Sequence, residues 1–111
     1  MKCLEQELHE YICDLCVAKE IPLEIHWRCF GDPSVFYKDG QEFTIACVSY
    51  YASDVEDIKS LLIEYIEEMW ECEEVWGNTS RSNYRVAIYV MDIVDKDGWY
   101  DVVIGGAISD G

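Results

Sequence analysis

The stretch YRVAIYVMDIVDKDGWYDVVIGGAI, residues 84–108, decides the fold. Two apolar runs, 84–94 and 99–108, flank Asp95-Lys96-Asp97-Gly98. Asp-Gly accepts the positive φ angles that reverse a chain, so the runs read as paired strands joined by a turn. In the first run Tyr84, Val86, Ile88 and Val90 alternate to one face, and Ala87, Tyr89, Met91 and Ile93 to the other. Apolar groups on both faces mark strands that lie inside a sheet rather than at its rim. Gly105-Gly106 in the second run predicts a bulge or a close backbone approach.

Such a sheet needs a cover, and two amphipathic segments supply it. Over 2–19, Leu4, Leu8, Tyr11, Ile12, Leu15 and Ala18 recur at three- and four-residue steps, which predicts a helix stopped before Pro22. A second helix is predicted from Ser53 to about Glu74, with Val55, Ile58, Leu61, Leu62, Tyr65, Ile66 and Met69 as its apolar stripe. Ser53 and Glu56 have the spacing of a capping box at its start. Between the helices, 21–29 alternates with Leu23, Ile25 and Trp27 opposite Glu24, His26 and Arg28, as a half-buried strand does. Gly31-Asp32-Pro33 breaks the chain, and Lys38-Asp39-Gly40-Gln41 predicts a hairpin between a short arm at 35–37 and a longer one at 42–50. A polar loop is expected over 77–83. The two Lys-Asp-Gly turns hint at two αββ halves, although their surroundings agree poorly. The expectation is one α+β domain over 1–111: an antiparallel sheet of four or five strands with both helices on one face, in the order α-β-(β)-β-α-β-β.

Composition narrows the functional classes. Eight Lys and Arg oppose 23 Asp and Glu, a formal charge of −15, while half the residues are apolar. The apolar content argues for a packed core, and the charge argues against direct binding of nucleic acid or of an anionic membrane, both of which select cations. No run approaches a membrane span, and Met1-Lys2-Cys3 leads into charged residues instead of an export signal. A cytoplasmic protein with reduced cysteines is expected.

The titratable residues offer little catalytic chemistry. Cys13-Asp14-Leu15-Cys16 is a C-x-x-C deep inside a predicted helix, not at the strand-to-helix junction that activates such thiols. A zinc site needs more ligands than Cys3, His9 and His26 convincingly add. A nucleophilic pair of His26 with Cys29 or Cys47 has no local support, and Asp95 and Asp97 are explained by the turn. No catalytic residue, metal ligand or cofactor is therefore assigned.

The acidic segment 54–74 is the strongest functional signal. Glu64, Glu67, Glu68 and Glu71 fall three and four residues apart on one helix face, where like charges oppose one another. Glu71, Glu73 and Glu74 sit at the negative end of the helix dipole, where Lys or Arg is favoured. Trp76, just beyond the periodic run, is the expected exposed aromatic anchor, with Tyr65 and Trp70 assigned to the core. These seven positions, Glu64, Glu67, Glu68, Glu71, Glu73, Glu74 and Trp76, are the candidate partner-binding residues.

An acidic helical segment in a compact α+β fold resembles the small anti-CRISPR and anti-restriction proteins of phages and mobile elements. The resemblance implies an inhibitor whose carboxylates stand in for phosphates on the basic, nucleic-acid-binding surface of a Cas nuclease or a related complex. Two other readings remain: an assembly module that homodimerises or binds a partner through its sheet, and a small cysteine- or aspartate-dependent enzyme.

Overall fold

The computed structural model describes residues 3–27, 35–38, 41–44, 47–72, 76 and 84–110, with residues 35–38, 41–44 and 109–110 described by backbone alone. The elements run α1 (Leu4–Ala18), β1 (Leu23–Trp27), β2 (Val35–Lys38), β3 (Gln41–Thr44), β4 (Val48–Ala52), α2 (Val55–Glu71), β5 (Tyr84–Asp95) and β6 (Tyr100–Asp110). The predicted break at Gly31-Asp32-Pro33, the turn residues Asp39 and Gly40, and the loop 77–83 lie outside the described residues.

The fold is α+β, with two helices and a four-stranded sheet in the order β1-β5-β6-β4. The two apolar runs form the central pair, antiparallel over their whole length. Gly98 at φ 115° and Asp97 at φ 61° reverse the chain between them. Lys96 N–H donates to the Trp99 carbonyl at 2.8 Å, and Asp97 N–H to Asp95 Oδ1 at 3.0 Å.

Two expectations about the sheet are corrected, and a third, a bulge or a close backbone approach at Gly105-Gly106, is met in its second form. First, the sheet is mixed, because β1 pairs with β5 in parallel, from Leu23 opposite Val86 to Trp27 opposite Val90. Alternation with period two fixes which side chains share a face, but it is identical for parallel and antiparallel strands. Second, the arm expected over 42–50 divides between two sheets. β3 pairs with β2 in a separate two-stranded sheet, while β4 pairs with β6 at the margin of the main one. Third, the bulge falls in β5, between Val90 and Asp92, and not at the glycines. Slipping one residue there returns Ile93 to the face of Val86, Ile88 and Val90, where it joins the main core. Gly106 instead marks a close approach, since a Cβ there would collide with Met69 Sδ and the Tyr65 ring of α2.

Both helices pack on one face of the sheet. Leu8, Ile12 and Cys16 of α1 and Ile58, Leu62 and Ile66 of α2 are buried with Val86, Ile88, Val90, Val102 and Ile104. Tyr11, assigned to the stripe by its spacing, is 42% exposed, with Lys59 Nζ 4.9 Å from its ring centroid. α1 ends before Pro22 acts. Ile21 N–H reaches back to the Cys16 carbonyl at 2.9 Å and Glu20 N–H to that of Val17 at 3.2 Å, with Glu20 left-handed at φ 58°. α2 starts one residue later than the Ser53 capping box implies. Asp54 accepts from Asp57 N–H at 2.8 Å, and Asp57 Oδ2 accepts from Ser53 N–H at 2.8 Å. Ser53 and Asp54 both suit the cap, and it is the Asp54 carboxylate that accepts from a first-turn amide, that of Asp57. The sheet's second face holds a smaller cluster of Ala87, Tyr89 and Met91, with His26 stacked on Tyr89 at 4.9 Å.

Candidate functional site

The acidic residues of α2 divide into two sets according to what lies beside them. Toward α1, charge is neutralised within the molecule. Lys19 Nζ meets Glu67 Oε1 at 3.0 Å, and Lys59 Nζ meets Glu56 at 3.2 Å and Glu7 at 3.5 Å. The Glu56 carboxylate, hydrogen-bonded to the Lys59 ammonium, holds that pKa above its ordinary value despite desolvation. Glu67, expected among the partner-binding residues, is thus engaged by α1. The pairing needs the C-terminal end of another helix, which the spacing within α2 does not reveal.

On the flank turned away from α1 the picture reverses. Glu64, Glu68 and Glu71 are exposed, and among the described residues no cation pairs with them. They occupy the C-terminal half of α2, whose last turn has no basic residue, so the helix dipole adds to their mutual repulsion. Glu64 and Glu68 line an open cleft of about 250 Å³ together with Asp57, Ser60, Leu61 and Tyr65 of α2 and Tyr50 of β4. The floor is aromatic: Tyr50 and Tyr65 meet edge to face at 6.2 Å. Burial, with the neighbouring Tyr50 and Cys47, raises the Tyr65 phenol pKa and keeps it a neutral hydrogen-bonding group. The cleft combines carboxylates with apolar ring faces, which suits the ammonium or guanidinium head and the hydrocarbon stem of Lys or Arg.

Trp76 is not an exposed anchor. Its side chain is 3% exposed, packs against Trp70 at 5.2 Å and donates from Nε1 to the Met69 carbonyl at 3.0 Å. An indole N–H entering a core must find an acceptor, and the unsatisfied carbonyls at the end of α2 offer one. Tyr65 and Trp70 pack against the core as expected. Glu73 and Glu74 lie outside the described residues.

The exposed aromatic of this region is one that sequence reading did not single out. Tyr51 of β4 is 64% exposed and stacks on Trp99 at 5.3 Å, and Val48 of the same strand is 51% exposed. Tyr50-Tyr51 was visible beside the acidic segment, but only the strand's place at the margin of the sheet tells which ring faces out.

Among the described thiols only Cys16 is buried. Cys3 is exposed, Cys13, Cys47 and Cys72 are half-buried, and no disulfide joins the described cysteines. Burial pushes the Cys16 pKa up to about 11, with Cys13 and Glu67 adding to the effect. Burial and then Asp14 raise that of Cys13. Cys13 Sγ lies 3.6 Å from His9 Nε2, but His9 Nδ1 accepts the Trp27 indole N–H at 3.0 Å. A ring that accepts at Nδ1 holds its proton on Nε2, so it cannot take the thiol proton there without pressing two N–H groups together. Among the described residues no group of three or more His, Cys, Asp and Glu is placed to hold a metal ion, and no helix is long and apolar enough to cross a membrane.

No protein-family model, curated protein or solved structure matches the chain.

Proposed function

We propose that this protein is a non-catalytic binding protein that presents the free acidic flank of α2 to a basic surface on a partner protein. One observation carries the reading: Glu64, Glu68 and Glu71 share an exposed flank without cations among the described residues, while Glu67 and Glu56 on the other flank are paired. Lys19 and Lys59 neutralise one set of carboxylates and no cation among the described residues meets the other, a local electrostatic cost that a cationic partner would relieve. Nucleic-acid-processing enzymes, Cas nucleases among them, own surfaces of this kind, and occupying one in the cytoplasm would inhibit the enzyme by exclusion of its nucleic acid. Pairing of the sheet with a second copy is a weaker reading, because it brings together two bodies that each carry a formal charge of −15.

The test is capture of host proteins on the immobilised protein at about 50 mM salt, followed by elution with a 20-base-pair DNA duplex. The screening length shortens from about 14 Å to about 6 Å between 50 and 300 mM salt, so the interaction should also fail at the higher concentration. The expected result is a nucleic-acid-binding enzyme released by duplex and not retained by a folded Glu64→Lys/Glu68→Lys/Glu71→Lys variant. Equal retention by that variant refutes the proposal.

A further inference from the structure

We infer that the outer edge of β4 and the acidic cleft beside it form one site, and that its ligand is an extended segment with Lys or Arg at alternate positions. The inference rests on the reading of α2 as a binding surface and specifies the form of what binds there.

β4 is the last strand of the sheet, paired on one side with β6 and with no described strand on the other. Alternate residues of such a strand direct N–H and C=O groups outward, ready to pair with another chain. Edge strands are usually protected by charge, proline or brevity. Val48-Ser49-Tyr50-Tyr51-Ala52 contains neither charge nor proline, and Val48 and Tyr51 expose large apolar surfaces. The edge is therefore competent to accept a strand.

Charge decides which strand. Tyr50 points to the helix-covered face, where its ring meets Tyr65, and it lines the cleft with Asp57, Glu64 and Glu68. A strand added beside β4 lies about 4.8 Å away, and its side chains on that face recur every ~6.8 Å. Residues four apart on α2 recur every ~6 Å along the helix. Alternate basic side chains of the added strand thus match the step from Glu64 to Glu68, while the residues between them lie on the face of Ser49 and Tyr51. A second copy of this chain is a poor occupant, since its own β4 is uncharged and its own α2 would bring further carboxylates to the cleft.

The experiment uses the whole protein labelled with nitrogen-15 and the peptide acetyl-KTKVKTKVK-amide at about 50 mM salt. A second peptide of the same sequence, N-methylated at every backbone amide, keeps the charge and cannot donate to a strand. The expected result is perturbation of the amide signals of β4 and of Glu64 and Glu68, with at least tenfold weaker binding by the methylated copy. A Glu64→Gln/Glu68→Gln variant should weaken the unmodified peptide by at least tenfold. Equal binding of the two peptides overturns edge pairing and leaves the acidic-surface reading standing. Perturbation centred on β1, binding of neither peptide at millimolar concentration, or a stable dimer in sedimentation that excludes the peptide each overturns the inference. The duplex-elution experiment still judges the acidic surface independently of these outcomes.

Discussion

The two margins of the sheet are built differently. β1 is entered from Pro22 and carries Glu24 and His26, whose side chains approach to 3.6 Å. Its last residue, Trp27, is tied to His9 of α1 through the 3.0 Å indole hydrogen bond, and every residue of the strand is partly buried. β4 has no charged residue and exposes Val48 and Tyr51. The charge that would guard it stands on the neighbouring helix, in Glu64 and Glu68. Charge within an edge strand repels strands in general, whereas carboxylates set beside an uncharged edge repel acidic chains and admit basic ones. The same composition can close one margin and make the other selective.

The largest effect is expected where α2 sits over the β4 half of the sheet. A side chain at Gly106 meets Met69 and Tyr65, so Gly106→Val should cost about 3 kcal/mol in urea unfolding and loosen β4 more than β1 in amide exchange. Equal loosening of both margins would remove the distinction between them. Next, Asp54→Ala removes the cap of α2 and should cost ~1 kcal/mol, with amide exchange rising first at Asp57, whose N–H bonds the Asp54 carboxylate. A change of comparable size and opposite sign is expected on the β1 side. Glu20 ends α1 in a left-handed conformation, and Glu20→Gly should stabilise the protein by about 0.5–1 kcal/mol without altering binding of the basic peptide.

A smaller effect concerns the α1 thiol. The Cys16 pKa of about 11 lies above the ordinary 9.0, so the folded form holds a proton that the unfolded chain releases first. Stability from this group is fully present below pH 9 and is lost as pH climbs toward 11. Cys16→Ala should flatten that decline in denaturant midpoints measured from pH 8 to 11, and parallel curves would contradict the assignment. The smallest effect is the most discriminating. Tyr51→Lys should cost only about 0.5 kcal/mol, from the lost stacking on Trp99, yet weaken the basic peptide several-fold in titrations by placing a cation on the edge.

Much of this was legible in the sequence. Two-faced apolar runs placed β5 and β6 at the centre, and apolar stripes placed both helices on one face. The strand direction of β1 was not legible, because alternation carries no polarity. The division between β3 and β4 was hidden by Ile45-Ala46-Cys47-Val48, an apolar run with no turn residue to mark a boundary. Glu64, Glu68 and Glu71 could be grouped from helical spacing alone. The capture of Glu67 by Lys19, and the turning of Trp76 into the core, depend on contacts that no local pattern encodes.

The central claim is that Glu64, Glu68 and Glu71 of α2 are a contact surface for cations on another protein. Its most direct measurement is the slope of log Kd against log salt for the duplex-eluted partner, compared between the native protein and a Glu64→Gln/Glu68→Gln/Glu71→Gln variant. The account predicts a steep slope for the native protein and a much shallower one, with at least tenfold weaker binding at 50 mM salt, for the variant. Superimposable lines would contradict it.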